Sequence, residues 1–348
     1  MKFITFFLFL TSVIAFSQSE NDVIDYANSI TSEELKELLY VYASDYFEGR
    51  ETGTRGQKKA IDFIRQFYTS HKINAAQGTE DYFQPMELNI NGEIVKTENV
   101  VAIIEGNKYP DEYIVVSSHL DHIGIQNGMI HNGADDDGSG SVALLEIAEA
   151  FKLAVDKGNG PKRSLIFLHV TGEEKGLLGS EYYTDNPLYP LEKTMTNLNV
   201  DMIGRTDSLH LDKPNYLYLI GSNILSDDLH QISERINDEY VGLDLDYRYN
   251  DPNTLVYELG RTVKNRYYFR SDHYNFAKNN IPVIFYFNGT HEDYHAPGDT
   301  PDKINYKMLA KRSQLIFYTA WELANRKDKI KINKLIKNEF FKKNYFHF

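Results

Sequence analysis

Residues Ser117 to Gly140 read SSHLDHIGIQNGMIHNGADDDGSG, a stretch holding three His, four Asp and five Gly. Ahead of it, Tyr113 to Val116 is a short apolar run of strand type. Behind it, Ser139 to Phe151 has helical spacing, with Leu144, Ile147, Ala148 and Phe151 on one face. The polar residues therefore fall at the carboxyl edge of a predicted sheet, where open α/β folds build their sites. A strand cannot carry this charge into its own core, and the economical explanation is a bound cation.

Working outward, Glu33 to Ala43 and Gly56 to Tyr68 read as helices, the second with Ala60, Phe63, Ile64 and Phe67 in register. Between them SDYFEGRETGTRG is a Gly-rich exposed loop, and Gly78 to Asn91 is ambiguous. Val100 to Glu105 is a strand, and the apolar run Ser164 to Thr171 is another, ending at once in TGEEKGLLGSEYY. Asn197 to Ile203 is a strand carrying Asp201, and Tyr216 to Ile220 and Ile281 to Phe287 are strands with a helix, Leu225 to Tyr240, between them. Gly242 to Tyr268 lacks a pattern and reads as a surface excursion. Thr300-Pro301-Asp302 supplies a capping hydroxyl and a first-turn Pro, predicting a helix from there towards Asn325. Strands alternating with helices predict an α/β fold: a doubly wound, mixed but mostly parallel sheet flanked by helices.

Composition sets the bounds. At 348 residues, 42% hydrophobic and 13% aromatic, the chain can bury a large core. A net charge of -13 argues against a nucleic-acid partner, which would need basic surface. Without Cys there is no disulfide framework and no zinc-thiolate site, so any metal must use His and carboxylates. The N-terminus, MKFITFFLFLTSVIAFSQSE, has a basic Lys2, an apolar run Phe3 to Phe16 and small residues at Ala15 and Ser17, the pattern of a cleaved leader. The run is shorter than the about 20 residues of a spanning anchor. The expected organisation is a signal peptide over 1–17, one large domain over 18–325 and a basic tail over 326–348, in an exported protein with no stable membrane anchor. The tail, rich in Lys with interspersed Phe and Tyr, is expected to be a terminal helix with a solvated face.

The candidate site residues all fall at strand ends: His119 and Asp121 after one strand, Asp136 before a helix, Glu173 and Glu174 after a second strand, Asp201 at a third, His295 after a fourth. Zinc takes His nitrogen and carboxylate oxygen, and hydrolytic sites often hold two metals sharing one carboxylate. If Asp136 bridges, the five groups His119, Asp136, Glu174, Asp201 and His295 give each metal three ligands and an open position. Three ligand carboxylates plus Glu173 also balance the charge of two zinc ions; unmetallated, they would repel and take up protons.

The pieces SHLDH, NGADDDGSG, TGEEKGLLGSEYY, NVDMIGR, RSDHYNF and YHAPGDTPDKI, with FEGRETGTRGQKKAIDFI upstream, closely resemble the co-catalytic zinc aminopeptidase family that also includes glutamate carboxypeptidases. The resemblance covers roughly residues 30 to 325. It implies two zinc ions, with His119 and Asp201 completing one, Glu174 and His295 the other, and Asp136 shared. It further implies Glu173 as general base, Asp121 hydrogen-bonded to the far nitrogen of His119, a cis peptide after Asp136, and Tyr294 as an oxyanion donor. Asp135 is a departure without an assigned role, and His122 and His131 are expected on the surface or behind the ligands. The space between Gly78 and Val100 leaves little room for the protease-associated domain that some relatives insert.

Bland readings stand beside these. The Asp135–Gly140 run could be a calcium loop. Glu173-Glu174 could be a solvated helix start, and Arg270, Asp272 and His273 an ordinary surface ion pair. The expected function is hydrolysis of N-terminal residues from peptide substrates. A mono-zinc cyclase of the glutaminyl type and a non-catalytic binding module on the same fold are the alternatives.

Overall fold

The computed structural model describes residues 22–79, 81–258 and 261–332; the expected leader and the tail beyond 332 lie outside them. Helix α1 (Ser32–Tyr42) starts where the Thr31 hydroxyl accepts the Glu34 N–H at 3.2 Å, and it buries Leu35, Leu39 and Tyr42, the stripe of an amphipathic helix. Helix α2 (Arg55–Ser70) buries Ala60, Ile61, Ile64 and Tyr68. Strands β1 (Asn74–Ala75), β2 (Phe83–Ile90), β3 (Glu93–Ile104) and β4 (Tyr109–His119) follow. Next come a small hairpin, β5 (Ile125–Gln126) with β6 (Met129–Ile130), an irregular turn at Ala134–Ser139, and helix α3 (Gly140–Asp156). The chain continues through β7 (Arg163–Val170), α4 (Leu178–Asp185), β8 (Thr194–Val200), β9 (Tyr216–Ile220), α5 (Asp227–Ile236), β10 (Asp244–Asp246), β11 (Leu255–Glu258), β12 (Arg261–Lys264), α6 (His273–Lys278), β13 (Val283–Phe287) and α7 (Tyr306–Asn325).

Nine strands make one sheet in the order β1-β3-β7-β4-β8-β13-β9-β10, with β2 paired to β3. The centre, β7-β4-β8-β13, is parallel, while β3 and β9 join it antiparallel; this is the mixed, doubly wound α/β sheet expected. Side chains alternate between two cores. Ile114 and Val116 of β4 join α1, α2, α3 and α7 on one face, whereas Tyr113 and Val115 join an aromatic-rich cluster with α4 and α6 on the other. Because both faces are covered, β7 is buried along its whole length. Strand β4 has β7, the next strand of this sheet along the chain, on one side and β8 on the other, so the order reverses there and a crevice opens beyond its carboxyl end.

The elements differ from the sequence reading in instructive places. Thr300-Pro301 opens only a single turn, Pro301–Lys303; Ile304 is extended and buried, and the Asn305 side chain accepts the Met308 N–H at 3.2 Å, so the long helix begins at Tyr306. Strand β8 stops at Val200, which places Asp201 just past its end. The helix expected to reach Tyr240 widens after Ile236 and stops at Gly242, which is left-handed at φ 67°. The unpatterned segment Gly242–Tyr268 contains three short strands, and the ambiguous Gly78–Asn91 contains β2. The β2–β3 hairpin turns on Asn91 and Gly92, both left-handed (φ 54° and 90°), the Asn-Gly pair that a two-residue hairpin loop favours.

Glu146 on α3 is buried among apolar neighbours. Burial first, then the charges of Glu149 and Glu34, push its carboxyl up to about 8. The folded chain therefore binds a proton that the unfolded chain has released above the ordinary carboxylate range, so this residue's contribution is full in acid and lost as pH rises through 8. Glu146→Gln is expected to stabilise the protein at pH 9 by on the order of a few kcal/mol and to change little at pH 5, measured by urea unfolding at both pH values.

Candidate metal centre

The carboxyl ends of β4, β7, β8 and the segment after β13 converge, and they bring together all five candidate ligands. His119 Nε2 lies 3.2 Å from Asp136 Oδ1 and 3.6 Å from Asp201 Oδ1. His295 Nε2 lies 3.1 Å from Asp136 Oδ2 and 3.1 Å from Glu174 Oε2. One carboxylate, Asp136, thus faces a different imidazole with each oxygen. His119 Nε2, Asp136 Oδ2 and Glu174 Oε1 are buried and, despite these close approaches, make no well-aligned hydrogen bond, although such atoms normally find one. Donors at about 2.0–2.2 Å from a tetrahedral metal stand roughly 3.3–3.6 Å from one another, and the measured separations are of this order. The groups sit as neighbouring ligands would.

Two triads bring donor atoms within 4.8 Å of each other, His119 with Asp137 and Asp201, and His122 with Asp136 and Glu174. Asp137 is nevertheless engaged elsewhere: its oxygens accept the N–H groups of Met202 (3.0 Å), Gly140 (3.0 Å) and His119 (3.2 Å). A Cβ at Gly140 would collide with this carboxylate, which is why the helix opens on Gly. Asp136 is the residue whose oxygens face the imidazoles. The Asp136–Asp137 peptide is cis.

Charge explains the protonation of the cluster. Burial alone would lower the His295 pKa, but contacts with Asp136 and Glu174 overcome it and push it up to about 10. His119 is also raised well above its usual range, because Glu173, Asp136 and Asp201 outweigh its burial. Glu174 is buried and close to Asp136, both of which raise its pKa, yet His122 and His295 hold it down at about 2. Glu173 is raised well above the carboxylate range, first by burial and then by the charges of Glu174, Asp201 and Asp272, with His119 opposing.

Asp121 does not hold His119 through its carboxylate, which is 3.9 Å away. Its backbone carbonyl does, at 3.0 Å from Nδ1, so the proton rests on Nδ1 and Nε2 is left to face the carboxylates. The Asp121 carboxylate instead accepts the Thr52 hydroxyl (2.8 Å) and the Glu173 N–H (3.2 Å), which fixes the loop carrying Glu173. Tyr294 stacks on His295 with centroids 4.0 Å apart and lines the same pocket as Glu173.

The structure chooses between alternatives for several residues. His122 is fully buried, 2.8 Å from Glu174, so it stands behind the ligands and not on the surface, and His131 is buried too. Asp272 and His273 are likewise fully buried, with Asp272 accepting the Ser180 hydroxyl at 2.5 Å, so of the two readings the surface ion pair is the one that fails. Asp135 gains a role. Its oxygens accept from Gly204 N–H (2.6 Å), Ser139 (3.0 Å) and Asn288 (3.0 Å), tying the irregular turn to the segments after β8 and β13.

Three positioning residues were missed. Asp299 accepts the N–H groups of Asp135 (3.0 Å) and Asp136 (3.1 Å), and Ser271 donates to Asp201 Oδ2 at 2.6 Å, leaving Oδ1 to face His119. Arg50 is fully buried and donates to the carbonyls of Leu120 (3.1 Å), Asn132 (2.6 Å) and Gly133 (2.8 Å), which flank the ligand-bearing turns. Its one sequence signal was an Arg inside FEGRETGTRG. That signal reads as exposed because every one of these acceptors lies 70 or more residues away.

A profile of peptidase family M28 matches residues 99–320. The chain belongs to that family. It is 27% identical over 309 residues to a probable leucine aminopeptidase of Arthroderma benhamiae, covering 84% of this chain and 76% of that one. Other relatives are longer: the chain spans 14% of one and 59% of another. In fold it is similar to the LapA aminopeptidase of Legionella pneumophila (TM-score 0.67, 20% identity, 89% of this chain and 76% of that one). It is also similar to a glutaminyl cyclase of Porphyromonas gingivalis (TM-score 0.65, 18% identity, 83% and 97%). Proteins named as an aminopeptidase and as a glutaminyl cyclase thus share this fold.

Arg50→Met is expected to lower stability by about 2–4 kcal/mol, since three buried carbonyls lose a charged donor, and to weaken metal retention. Urea unfolding and metal content after gel filtration check both.

Proposed function

We propose that this chain is a zinc-dependent aminopeptidase that removes N-terminal residues from peptides. The observation that carries the reading is the Asp136 carboxylate set between His119 and His295 with Asp201 and Glu174 alongside. Two imidazoles and three carboxylates, with buried atoms left unpartnered and no thiol in the chain, fit zinc's nitrogen and oxygen donors. His119, Asp136 and Asp201 would hold one ion and Asp136, Glu174 and His295 a second. Bound there, zinc supplies Lewis acidity, making water a nucleophile near neutral pH and polarising the scissile carbonyl.

The chain's own groups do the remainder. With the neighbouring carboxylates neutralised, Glu173 becomes an ionised base whose position is set by the Asp121 contact to its N–H. Its carboxylate takes the proton of the attacking water and passes it to the leaving nitrogen. The Tyr294 phenol, pushed up by burial and by the Asp136 charge, keeps its proton and can donate to the carbonyl oxygen as charge builds there. The substrate's N-terminal end faces the recess of about 30 Å³ lined by Met202, Tyr267, Arg270, Phe285, Phe287 and Thr290. The leader-like N-terminus supports export as part of the same proposal. Among the described residues no helix is long and apolar enough to cross a membrane.

Glu173→Gln is expected to keep its metal but lose about 10²–10⁴-fold in kcat; emission spectrometry and turnover of an aminoacyl-p-nitroanilide check this, and retained turnover removes Glu173 from the role. Because His119, His295 and Glu173 are all pushed towards their protonated forms, zinc titration at pH 7 is expected to take up two equivalents and to release roughly three protons, followed with an indicator dye. Full activity at one equivalent would instead favour the cyclase reading.

A further inference from the structure

The centre opens in two directions, and the linings differ. The pocket beside Asp136, Glu173 and Asp201 ends on Met202, Phe285 and Phe287, which are 2–4% exposed. The second space is a cleft of about 770 Å³ that runs from Glu173, Glu174 and His295 past Lys175–Leu178 to Asn89, Ile90 and Asn91. Its volume falls within the roughly 300–1,000 Å³ of clefts that bind ligands. The first space is small, about 30 Å³, and the second reaches the exposed tip of the β2–β3 hairpin.

That hairpin is built to reach the cleft. Strand β3 has twelve residues, of which Val100–Ile104 pair with β7 in the main sheet. The part from Glu93 to Asn99 pairs with β2, extending as a two-stranded ribbon. The ribbon is seated by Leu88, which is 7% exposed and packs against Gly172, the residue preceding Glu173. Gly172 is left-handed at φ 67°, and its missing side chain makes room for Leu88. The tip is therefore registered against the loop that carries the general base. Within it, Asn89 Oδ1 accepts the Gly92 N–H at 2.9 Å, which orients the Asn89 amide. Among the described residues, no side-chain hydrogen bond engages Asn89 Nδ2 or the Asn91 amide.

Resting on the aminopeptidase reading, we propose that the ribbon tip, through the Asn89 and Asn91 amides, binds the backbone of the peptide on the leaving side of the scissile bond. The enzyme's substrate class is then oligopeptides rather than single aminoacyl amides. Extended peptide backbone offers a carbonyl and an N–H at each residue, and a primary amide supplies both a donor and an acceptor. The small recess faces the N-terminal end of the substrate, and the amide-bearing cleft takes the chain that follows, whatever its sequence.

The test compares two substrates with the same N-terminal Leu, a leucyl-p-nitroanilide and a leucine-initiated tetrapeptide, in zinc-loaded protein carrying Asn91→Gly, Asn89→Asp or both. Glycine tolerates the left-handed tip position, and Asp keeps the acceptor that holds Gly92 while removing the amide donor. The expected result is a KM for the tetrapeptide raised about fivefold per amide lost, with kcat and the anilide constants unchanged within about twofold. Equal changes for both substrates, or no change for either, overturn the proposal. If the unmutated protein cleaves neither substrate, the aminopeptidase reading itself fails; if it cleaves both with the same KM, only the ribbon proposal does. Unchanged melting temperatures exclude misfolding as the source of a KM effect.

Discussion

Four carboxylates, Asp136, Glu173, Glu174 and Asp201, share one largely dry pocket with the imidazoles of His119 and His295. Their mutual repulsion is the constraint on which the rest of this structure depends. Uncompensated buried charge is expensive, and a group that cannot pair will change its protonation instead. The metal-free chain does this: both imidazoles are driven to the protonated form, and Glu173 towards the neutral one. Zinc held by these side chains would resolve the same conflict in the other direction, with the imidazoles neutral and Glu173 ionised. Metal binding and the creation of a base are one electrostatic event.

Such a cluster survives only if its backbone cannot relax, and most of the buried polar groups around it serve that end. Asp299 and Asp137 accept N–H groups from the turn and from the chain after β8, Asp135 collects donors from three segments, and Arg50 gathers three carbonyls. Each contact is modest in net energy, but leaving any of these buried groups unpaired would cost more than the bond contributes. The network therefore acts mainly by making alternative loop arrangements unfavourable. It also explains why three adjacent aspartates have three distinct tasks: Asp135 ties loops together, Asp136 faces the imidazoles, and Asp137 caps the start of α3.

The two ends of the site follow from the sheet. Met202, Tyr267, Phe285 and Phe287 of the aromatic core line one side of the centre, while the β2–β3 ribbon borders the other. The reversal of strand order at β4 places both at the same crevice.

The sequence by itself determined the alternation of strands and helices, the mixed sheet, and the set of side chains that meet, because apolar periodicity and clustered charge are local and survive reading one residue at a time. His119, Asp136, Glu174, Asp201 and His295 were legible since each follows a strand or opens a helix. Tertiary structure alone decided which atom does what. The Asp121 carbonyl, not its carboxylate, meets His119; Arg50 is buried though its neighbours read as an exposed loop; and Asn305 rather than Thr300 caps the last helix. These depend on hydrogen bonds between residues far apart in the chain, whose partners no local pattern announces. A charged residue's fate is set by what the fold places opposite it.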